Sequence, residues 1–270
     1  MPVITVTRGA LQQTFGFTEA LARALHCRTV AREDVINHGK QYGLDQFGLS
    51  KTGLLGGRPP AFWDRWRSER QQYLAVYKAA LMDLVAKECV IYVGNIGRFI
   101  LSDIPKLLRI RLDATDDYRI KHRMEESGCS ESDARSFVDG VDSHREEWLK
   151  FLYGVDYFAH ANYDLILNLE TLSIDSMVKL VTTTITLPEF TLDDSDRKHI
   201  RDAWLEAHVL AAIARSPRTR SMDLKVRCDS TTGVVTVIGV EPMVGIEIWK
   251  KDIEDTVREV EDVRDIQFGR

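Results

Sequence analysis

Apolar positions follow two different periods along residues 1–182 of the chain. Short, almost continuous apolar runs predict buried strands at residues 3–7, 89–94, 106–112 and 163–169. Between these runs, apolar residues recur every three or four positions and predict helices at 18–25, 62–87, 116–126, 131–151 and 174–181. Strands that alternate with helices predict an α/β domain with a parallel sheet covered on both faces. Residues 37–60 are rich in glycine and predict a long irregular segment.

The pattern changes at residues 183–196, which are polar and contain Pro188 and an acidic cluster. We interpret this stretch as a linker between a domain at 1–182 and a second domain at 197–270. The second domain reads as a helix, two strands, a helix and a strand, at 197–215, 222–228, 234–240, 245–260 and 263–268. The loop around Gly233 is compatible with a hairpin, and the order predicts a small α+β (αββαβ) domain.

Composition narrows the class of protein. The chain has 270 residues, 44% hydrophobic residues and a formal net charge of -5, which is typical of a soluble globular protein. No apolar run reaches the roughly 18 residues of a membrane-spanning helix, and no signal peptide is visible. We therefore expect a cytoplasmic protein, without a membrane or nucleic-acid partner.

The cysteines and histidines do not suggest a metal site. Four cysteines, Cys27, Cys89, Cys129 and Cys228, lie far apart and form no CxxC pair. The histidines form no cluster with the spacing of metal ligands. We expect no metal site, and we expect all four cysteines to be reduced structural thiols.

Several stretches carry a resemblance to a known family. They are VIYVGNIGRFIL, RIRLDATDDYRIKHRMEESGCSESDA, VDSHREEW and YDLILNLETLSIDSMVKLV, all within residues 89–181. With the preceding strand and helix they resemble the cytidylate kinase-like family of P-loop nucleotide kinases over residues 3–182. This resemblance implies a parallel-sheet nucleotide kinase fold, with ATP and Mg²⁺ as cofactors if the chain is an active kinase. The tail, with LKVRCDSTTGVVTVIGV, resembles a BON-type domain.

Arginines on two predicted helices form the first candidate site. Arg119 and Arg123 are four positions apart, so they project from one face of a helix. The resemblance implies that these arginines and Arg145 form a lid over the phosphates. Asp142 lies three positions before Arg145, close enough on a helix to orient it. The alternative interpretation is a solvated, charged helix face.

The family motifs that bind the nucleotide accepting the phosphate are only partly retained. Arg32, in Ala31-Arg32-Glu33, matches the family arginine that faces the acceptor phosphate. A second family motif, Gly-Arg, is replaced by Gly94-Asn95, and Arg98 lies one helical turn later. The resemblance therefore implies Arg32, Asn95 and Arg98 as candidate nucleotide-binding residues.

The expected phosphate loop follows the first strand, and its chemistry is incomplete. Glycines let such a loop wrap phosphates with its backbone N–H groups, and a lysine adds charge. Here the four cradle positions hold residues 11–14 (LQQT), Phe15 follows them, and no lysine precedes Lys40. The remaining candidates for binding phosphate are Arg8, Gly9, Thr14, Gly16 and the helix N-terminus.

Three functions stay open at this point. The first is a nucleotide-responsive regulatory protein without efficient kinase activity, and the second is an active cytidylate kinase that phosphorylates CMP or dCMP with ATP. The third is a scaffold that acts through the BON-like domain. That domain would then bind a second copy of the chain, forming a homo-oligomer, or another protein, for example through the helix that carries Trp249.

Overall fold

The computed structural model describes residues 2–7, 13–47 and 67–269. In these ranges five parallel strands form one sheet in the order β2-β3-β1-β4-β5. The strands are β1 (Val3–Thr7), β2 (Arg28–Ala31), β3 (Val90–Val93), β4 (Leu108–Asp113) and β5 (Leu165–Asn168). The helices around them are α1 (Gln13–Leu25), α2 (Arg32–Gly39), α3 (Arg67–Lys87), α4 (Gly97–Ile100), α5 (Asp116–Ser127), α6 (Glu131–Tyr153) and α7 (Ile174–Thr184). The predicted α/β class with a parallel sheet is confirmed.

The two faces of the sheet have different covers. Ile4, Val6 and Ile110 point to one face and pack with α1 and α7. Val3 and Tyr92 point to the other face, where α3 crosses the sheet. Near-continuous apolar strands are explained by this burial on both faces.

The turn after β3 depends on two glycines that approach Tyr92. A Cβ on Gly97 would lie 2.1 Å from Cδ1 of Tyr92, and a Cβ on Gly94 would lie 2.8 Å from its Cε1. The Tyr92 hydroxyl in turn lies 2.9 Å from that of Tyr77 on α3. Because any side chain at Gly97 would overlap the buried ring, α4 can start this close to the sheet only with glycine there.

Two predictions about residues 27–47 are wrong. The sequence pattern missed β2, a four-residue edge strand in which only Val30 is buried. The part of the predicted irregular segment that the structure describes is helical instead, with the end of α2 followed by 3₁₀ turns at Lys40–Tyr42 and Leu44–Gln46. Residues 48–66, including the start of the predicted helix at 62–87, lie outside the described residues.

The prediction of four reduced cysteines is also wrong. Cys27 and Cys89 form a disulfide with their Cα atoms 4.7 Å apart, while Cys129 and Cys228 are free thiols. The reason lies in the register of the sheet, in which Arg28 pairs with Val90. Each cysteine therefore directly precedes one of two neighbouring strands. The sequence did not reveal this pairing because β2 had not been recognised.

The C-terminal part contains a second, three-stranded sheet. Its elements are α8 (Asp194–Arg215), β6 (Leu224–Asp229), β7 (Val234–Gly239), α9 (Ile246–Val257) and β8 (Asp265–Gly269). β6 and β7 form the predicted hairpin, and β8 is parallel to β7. The order αββαβ agrees with the prediction, and the likeness to a BON domain remains a prediction.

Helix α8 is shared between the two parts of the chain. Ala203 and Ala207 pack with α3 in the first core, whereas Leu205 and Val209 belong to the core of the small sheet. The linker predicted at 183–196 includes the end of α7 and the start of α8. The domain boundary remains a prediction, and the structure adds that α8 is buried on both sides.

None of the helices in the described ranges is both long and apolar enough to cross a lipid bilayer.

Candidate functional site

Three of the predicted lid residues, Arg119, Asp142 and Arg145, meet beyond the carboxyl end of β4. Arg119 on α5 is buried and donates two hydrogen bonds to Asp142 on α6, with Nη1 2.5 Å from Oδ2 and Nη2 2.9 Å from Oδ1. Its Nη1 also lies 3.1 Å from Asp116 at the start of α5. Burial alone lowers the pKa of Arg119, but the bonds to Asp142 outweigh burial and raise it. Arg119 is therefore a permanently charged group held between two carboxylates.

Two further arginines surround this pair. Arg145 Nη1 lies 3.6 Å from Oδ1 of Asp142, as the spacing on α6 predicts. Arg111 on β4 donates to Asp113 at 2.9 Å. We call this set the arginine cluster: Arg111, Arg119, Arg145, Asp113, Asp116 and Asp142. It contains three guanidinium groups and three carboxylates, so its formal charge is balanced.

Little space is left inside the arginine cluster. The pocket that it forms with Tyr157 and Phe158 has a volume of about 20 Å³. A single water molecule needs roughly 10–15 Å³ by the same kind of measure. A phosphate group would therefore enter only if Asp142 or the arginines moved.

Arg123 is not part of this cluster. Its guanidinium lies over the ring of Phe137, 4.1 Å from the centroid. Phe137 lines an open groove of about 520 Å³ between α6 and Asn95, and Arg145 lines both this groove and the small pocket. Asn95 accepts a hydrogen bond from Tyr157 at 3.3 Å. The groove is thus an accessible space lined by the largely buried side chain of Arg145.

The remaining acceptor-side candidates are not members of the arginine cluster, although Arg98 and Arg111 both lie over the ring of Tyr163, 5.8 Å from its centroid. Arg32 starts α2, pairs with Glu33 at 3.6 Å and interacts with Tyr73 of α3. Arg98 donates to Asn162, with Nη2 2.8 Å from Oδ1, and stacks on Phe99. Arg98 is therefore anchored to the segment before β5 and does not replace the missing arginine at the Asn95 position.

The expected phosphate loop lies mostly outside the described residues. This holds for Arg8, Gly9, Leu11 and Gln12, and for the side chain of Thr14, whose backbone lies in the first turn of α1. Gly16 is described, and a Cβ there would lie 3.1 Å from Cδ1 of Ile174. Close packing of α1 against α7 therefore accounts for this glycine.

Three residues of the site, Arg111, Asp113 and Tyr157, were not predicted from the sequence. Arg111 and Asp113 alternate with buried apolar residues along β4. A charged residue inside an otherwise buried parallel strand was the available signal, because both faces of such a strand are normally apolar. Tyr157 is buried against the arginines, and burial raises its pKa.

A buried carboxylate, Asp83, lies between the two parts of the chain. Asp83 on α3 has His38 Nε2 2.8 Å from Oδ2 and accepts a hydrogen bond from the Tyr42 hydroxyl at 2.7 Å. On its other oxygen, Trp204 Nε1 donates at 2.9 Å and His208 Nε2 lies 3.1 Å away. We call these five residues the Asp83 cluster.

The Asp83 cluster joins α2 and the turn after it to α8. Burial alone raises the pKa of Asp83, but the four hydrogen bonds outweigh burial and hold it below its ordinary value. Burial and the bond to Asp83 raise the pKa of Tyr42. The carboxylate is thus ionised, and it connects the segment that begins at Arg32 with the first C-terminal helix.

The arginine cluster as it stands leaves no room for a phosphate group. The arginines are already paired, and the pocket between them holds about one water molecule. In the part of the chain that the structure describes, no group of three or more His, Cys, Asp or Glu side chains is placed to hold a metal ion.

Residues 3–171 match the family model described as the cytidylate kinase-like family. No curated protein sequence matches the chain. The chain is similar to the crystal structure of an uncharacterized protein from Eubacterium ventriosum, with a TM-score of 0.52 and 17% identity over 68% of this chain and 97% of the other. It is less similar to shikimate kinase from Bacteroides thetaiotaomicron, with a TM-score of 0.43 and 14% identity over 69% and 99%. At such identities the likeness concerns the fold alone.

Proposed function

Because the chain belongs to the cytidylate kinase-like family, we propose that it binds a nucleotide weakly and acts as a regulatory protein without efficient phosphoryl transfer. The observation that carries this proposal is the bidentate pairing of Arg119 with Asp142. An arginine that is already neutralised contributes little to binding the transferring phosphoryl group.

Phosphoryl transfer depends on positioning and on charge stabilisation. Losing one well-placed donor of this kind can cost roughly 3–4 kcal/mol of transition-state stabilisation. Here Arg111 and Arg119 both face carboxylates, and the cradle positions at 11–14 lack the glycines and lysine of a phosphate loop. Each of these differences lowers the stabilisation of the transition state, so we expect no efficient kinase activity.

Weak nucleotide binding is still chemically reasonable at the groove beside α6. Arg145 lines this groove together with Asn95 and the exposed Phe137, which offer a cation, an amide and an aromatic face. A bound nucleotide would bias α6, whose Leu149 packs in the same core as α3, and Asp83 on α3 accepts a hydrogen bond from Trp204 of α8. The response would thereby reach the C-terminal part.

The test combines thermal stability with a coupled kinase assay. ATP, CTP, CMP, dCMP, AMP and UMP are added singly, and in pairs of a triphosphate with a monophosphate, each with and without Mg²⁺. We expect stabilisation without turnover, lost in Arg145→Gln and kept in Arg135→Gln, which lies on the same helix with half its side chain exposed (50%). Turnover with any monophosphate would overturn the proposal, and no response to any nucleotide would favour the scaffold function.

An active cytidylate kinase is the second candidate. The observation in its favour is the size of the groove, about 520 Å³, which lies within the usual range of small-molecule sites. If this function holds, CMP or dCMP with ATP and Mg²⁺ will give turnover that Arg119→Gln abolishes.

A further inference from the structure

A cavity of about 230 Å³ lies beside the Asp83 cluster, where the turn after α2, helix α8 and the turn after α9 meet. This volume is below the roughly 300–1,000 Å³ of sites for drug-sized ligands, but about fifteen times the roughly 15 Å³ that one water molecule needs. The cavity therefore has room for a small organic molecule. We call it the interface cavity, and its lining includes three aromatic rings and three charged side chains: Tyr42, Trp204, His208, Arg215, Glu259 and Glu261.

The three aromatic rings form one continuous wall of the interface cavity. The rings of Trp204 and His208 are tilted against each other with their centroids 4.2 Å apart, and Tyr42 meets His208 edge to face at 5.5 Å. Asp83 contacts a polar atom of each ring and so fixes all three. The wall is therefore in place before a ligand arrives, which lowers the entropic cost of binding.

Both signs of charge line the interface cavity without neutralising each other. Arg215 lies in the last turn of α8, and the two carboxylates lie in the turn after α9 at Glu259 and Glu261. The described part of the chain offers none of these three side chains an ion pair or a hydrogen bond. Burial and the bond to Asp83 raise the pKa of Tyr42, and the charges of Arg215 and Glu261 act on that pKa in opposite directions. Both charges therefore lie near the same phenol.

The mixture of charges selects the class of ligand. A ligand with only a positive charge would be attracted by the two carboxylates and repelled by Arg215, and a ligand with only a negative charge would experience the reverse. We propose that the interface cavity binds a small zwitterion, an amino acid with an apolar or aromatic side chain. Its carboxylate pairs with Arg215, because a guanidinium matches a carboxylate with two parallel hydrogen bonds. Its ammonium group pairs with Glu259 or Glu261, and its side chain packs on the aromatic wall.

Binding at this place would fasten the two parts of the chain to each other. The ligand would contact Tyr42 after α2, Trp204 on α8 and the turn after α9 at once, and a ligand that binds only this arrangement stabilises it by mass action. The interface cavity and the groove beside α6 have no described lining residue in common. Amino-acid binding and the proposed nucleotide binding are therefore tested independently.

The first test compares amino acids with analogues that lack one of the two charges. Calorimetry measures binding to the full chain for L-leucine, L-methionine and L-phenylalanine, and for the amine and the acid that correspond to each. We expect at least one amino acid to bind, and its amine and its acid to bind roughly tenfold more weakly, because each lacks one charged contact. The proposal is overturned if no amino acid binds, or if an amine or an acid binds at least as tightly as its amino acid.

The second test assigns the two charged ends of the ligand. Arg215→Gln should weaken binding of the amino acid roughly tenfold and strengthen binding of its amine, because the repulsion by the guanidinium is gone. Glu259→Gln with Glu261→Gln should weaken binding of the amino acid and strengthen binding of its acid. The controls are Arg227→Gln and Glu247→Gln, exposed side chains of the same part that do not line the cavity. Both controls should bind the amino acid as wild type does.

Folding of these variants is checked by urea unfolding without ligand. The replaced side chains have no partner in the ranges that the structure describes, so we expect wild-type unfolding curves and can separate lost binding from lost folding. An unchanged affinity for the amino acid in Arg215→Gln, or in the double carboxylate variant, would contradict the proposed pairing of charges.

Discussion

Asp83 and Asp142 are two carboxylates with opposite tasks. Both lie on long helices and accept hydrogen bonds from side chains of other elements. The groups around Asp83 are a tyrosine, a tryptophan and two histidines, whereas those around Asp142 are arginines. Asp83 is buried, and the side chain of Asp142 keeps 20% of its surface exposed.

The surroundings of an aspartate carboxylate decide whether it contributes mainly to stability or mainly to ligand binding. The buried carboxylate of Asp83 accepts from four partly buried donors, so its loss would leave those donors without this acceptor. Asp142 faces permanent cations beside an open groove, so its loss would release positive charge toward a ligand. We therefore expect Asp83 to act mainly on stability and Asp142 mainly on anion affinity.

The largest expected effect comes from Asp83→Asn. The amide cannot accept on both sides, so we expect the free energy of unfolding to fall by about 4 kcal/mol, the range for breaking a buried charged contact. Urea unfolding at pH 7 measures it. The control is Asp194→Asn, whose fully exposed carboxylate pairs with Arg197 and should leave stability almost unchanged because water screens the pair. Equal losses of unfolding free energy in Asp83→Asn and Asp194→Asn would contradict a special role of Asp83 in stability.

The disulfide provides the next largest effect. Cys27 and Cys89 are 62 positions apart and enclose α2 and Tyr42, so the bond and the Asp83 cluster hold the same segment. Cys27→Ser with Cys89→Ser should lower the free energy of unfolding by about 3 kcal/mol, with Cys129→Ser as the control. Alkylation of the unfolded, unreduced protein should modify two thiols. Modification of all four would contradict the bond.

Much of the fold was predictable because burial leaves a periodic signal. β1, β3, β4 and β5 are short apolar runs, and α5 and α6 have caps and amphipathic spacing. β2 escaped because it lies at the sheet edge and buries only Val30 completely. A strand without an apolar run is specified by its neighbours, and those contacts are not visible along the chain.

The candidate sites divide in the same way. Arg119 and Arg145 could be found from helical spacing and from the family resemblance. Asp83 could not, because one of its donors, Trp204, lies 121 positions away on a helix whose packing against α3 the sequence does not reveal. Arg111 was missed although its acceptor Asp113 lies two positions later on the same face of β4, because the strand was predicted from its apolar residues alone.

Asp142→Asn should have a moderate effect on stability and the clearest effect on binding. Removing the charge leaves Arg119 with Asp116 only, so we expect a loss of about 2 kcal/mol, less than at Asp83 because Asp142 is partly exposed. The thermal shift caused by pyrophosphate or ATP should increase. Asp139→Asn on the same helix is exposed and serves as the control. A smaller ligand shift in Asp142→Asn than in wild type would mean that Asp142 supports binding.

The smallest expected effect isolates one bond between the two parts of the chain. Trp204→Phe removes the indole N–H that donates to Asp83 at 2.9 Å, and Trp249→Phe removes the same atoms from a ring that packs on Phe268 in the small sheet. A hydrogen bond to a charged acceptor contributes about 1.5 kcal/mol, so Trp204→Phe should be more destabilising by that difference in urea unfolding. In the background of Asp83→Asn the difference should shrink, because the charged acceptor is gone. If the difference in stability between Trp204→Phe and Trp249→Phe persists in that background, packing against α3 holds α8 in place and the hydrogen bond to Asp83 does not. The carboxylate would then contribute less to the stability of the Asp83 cluster than its four contacts indicate.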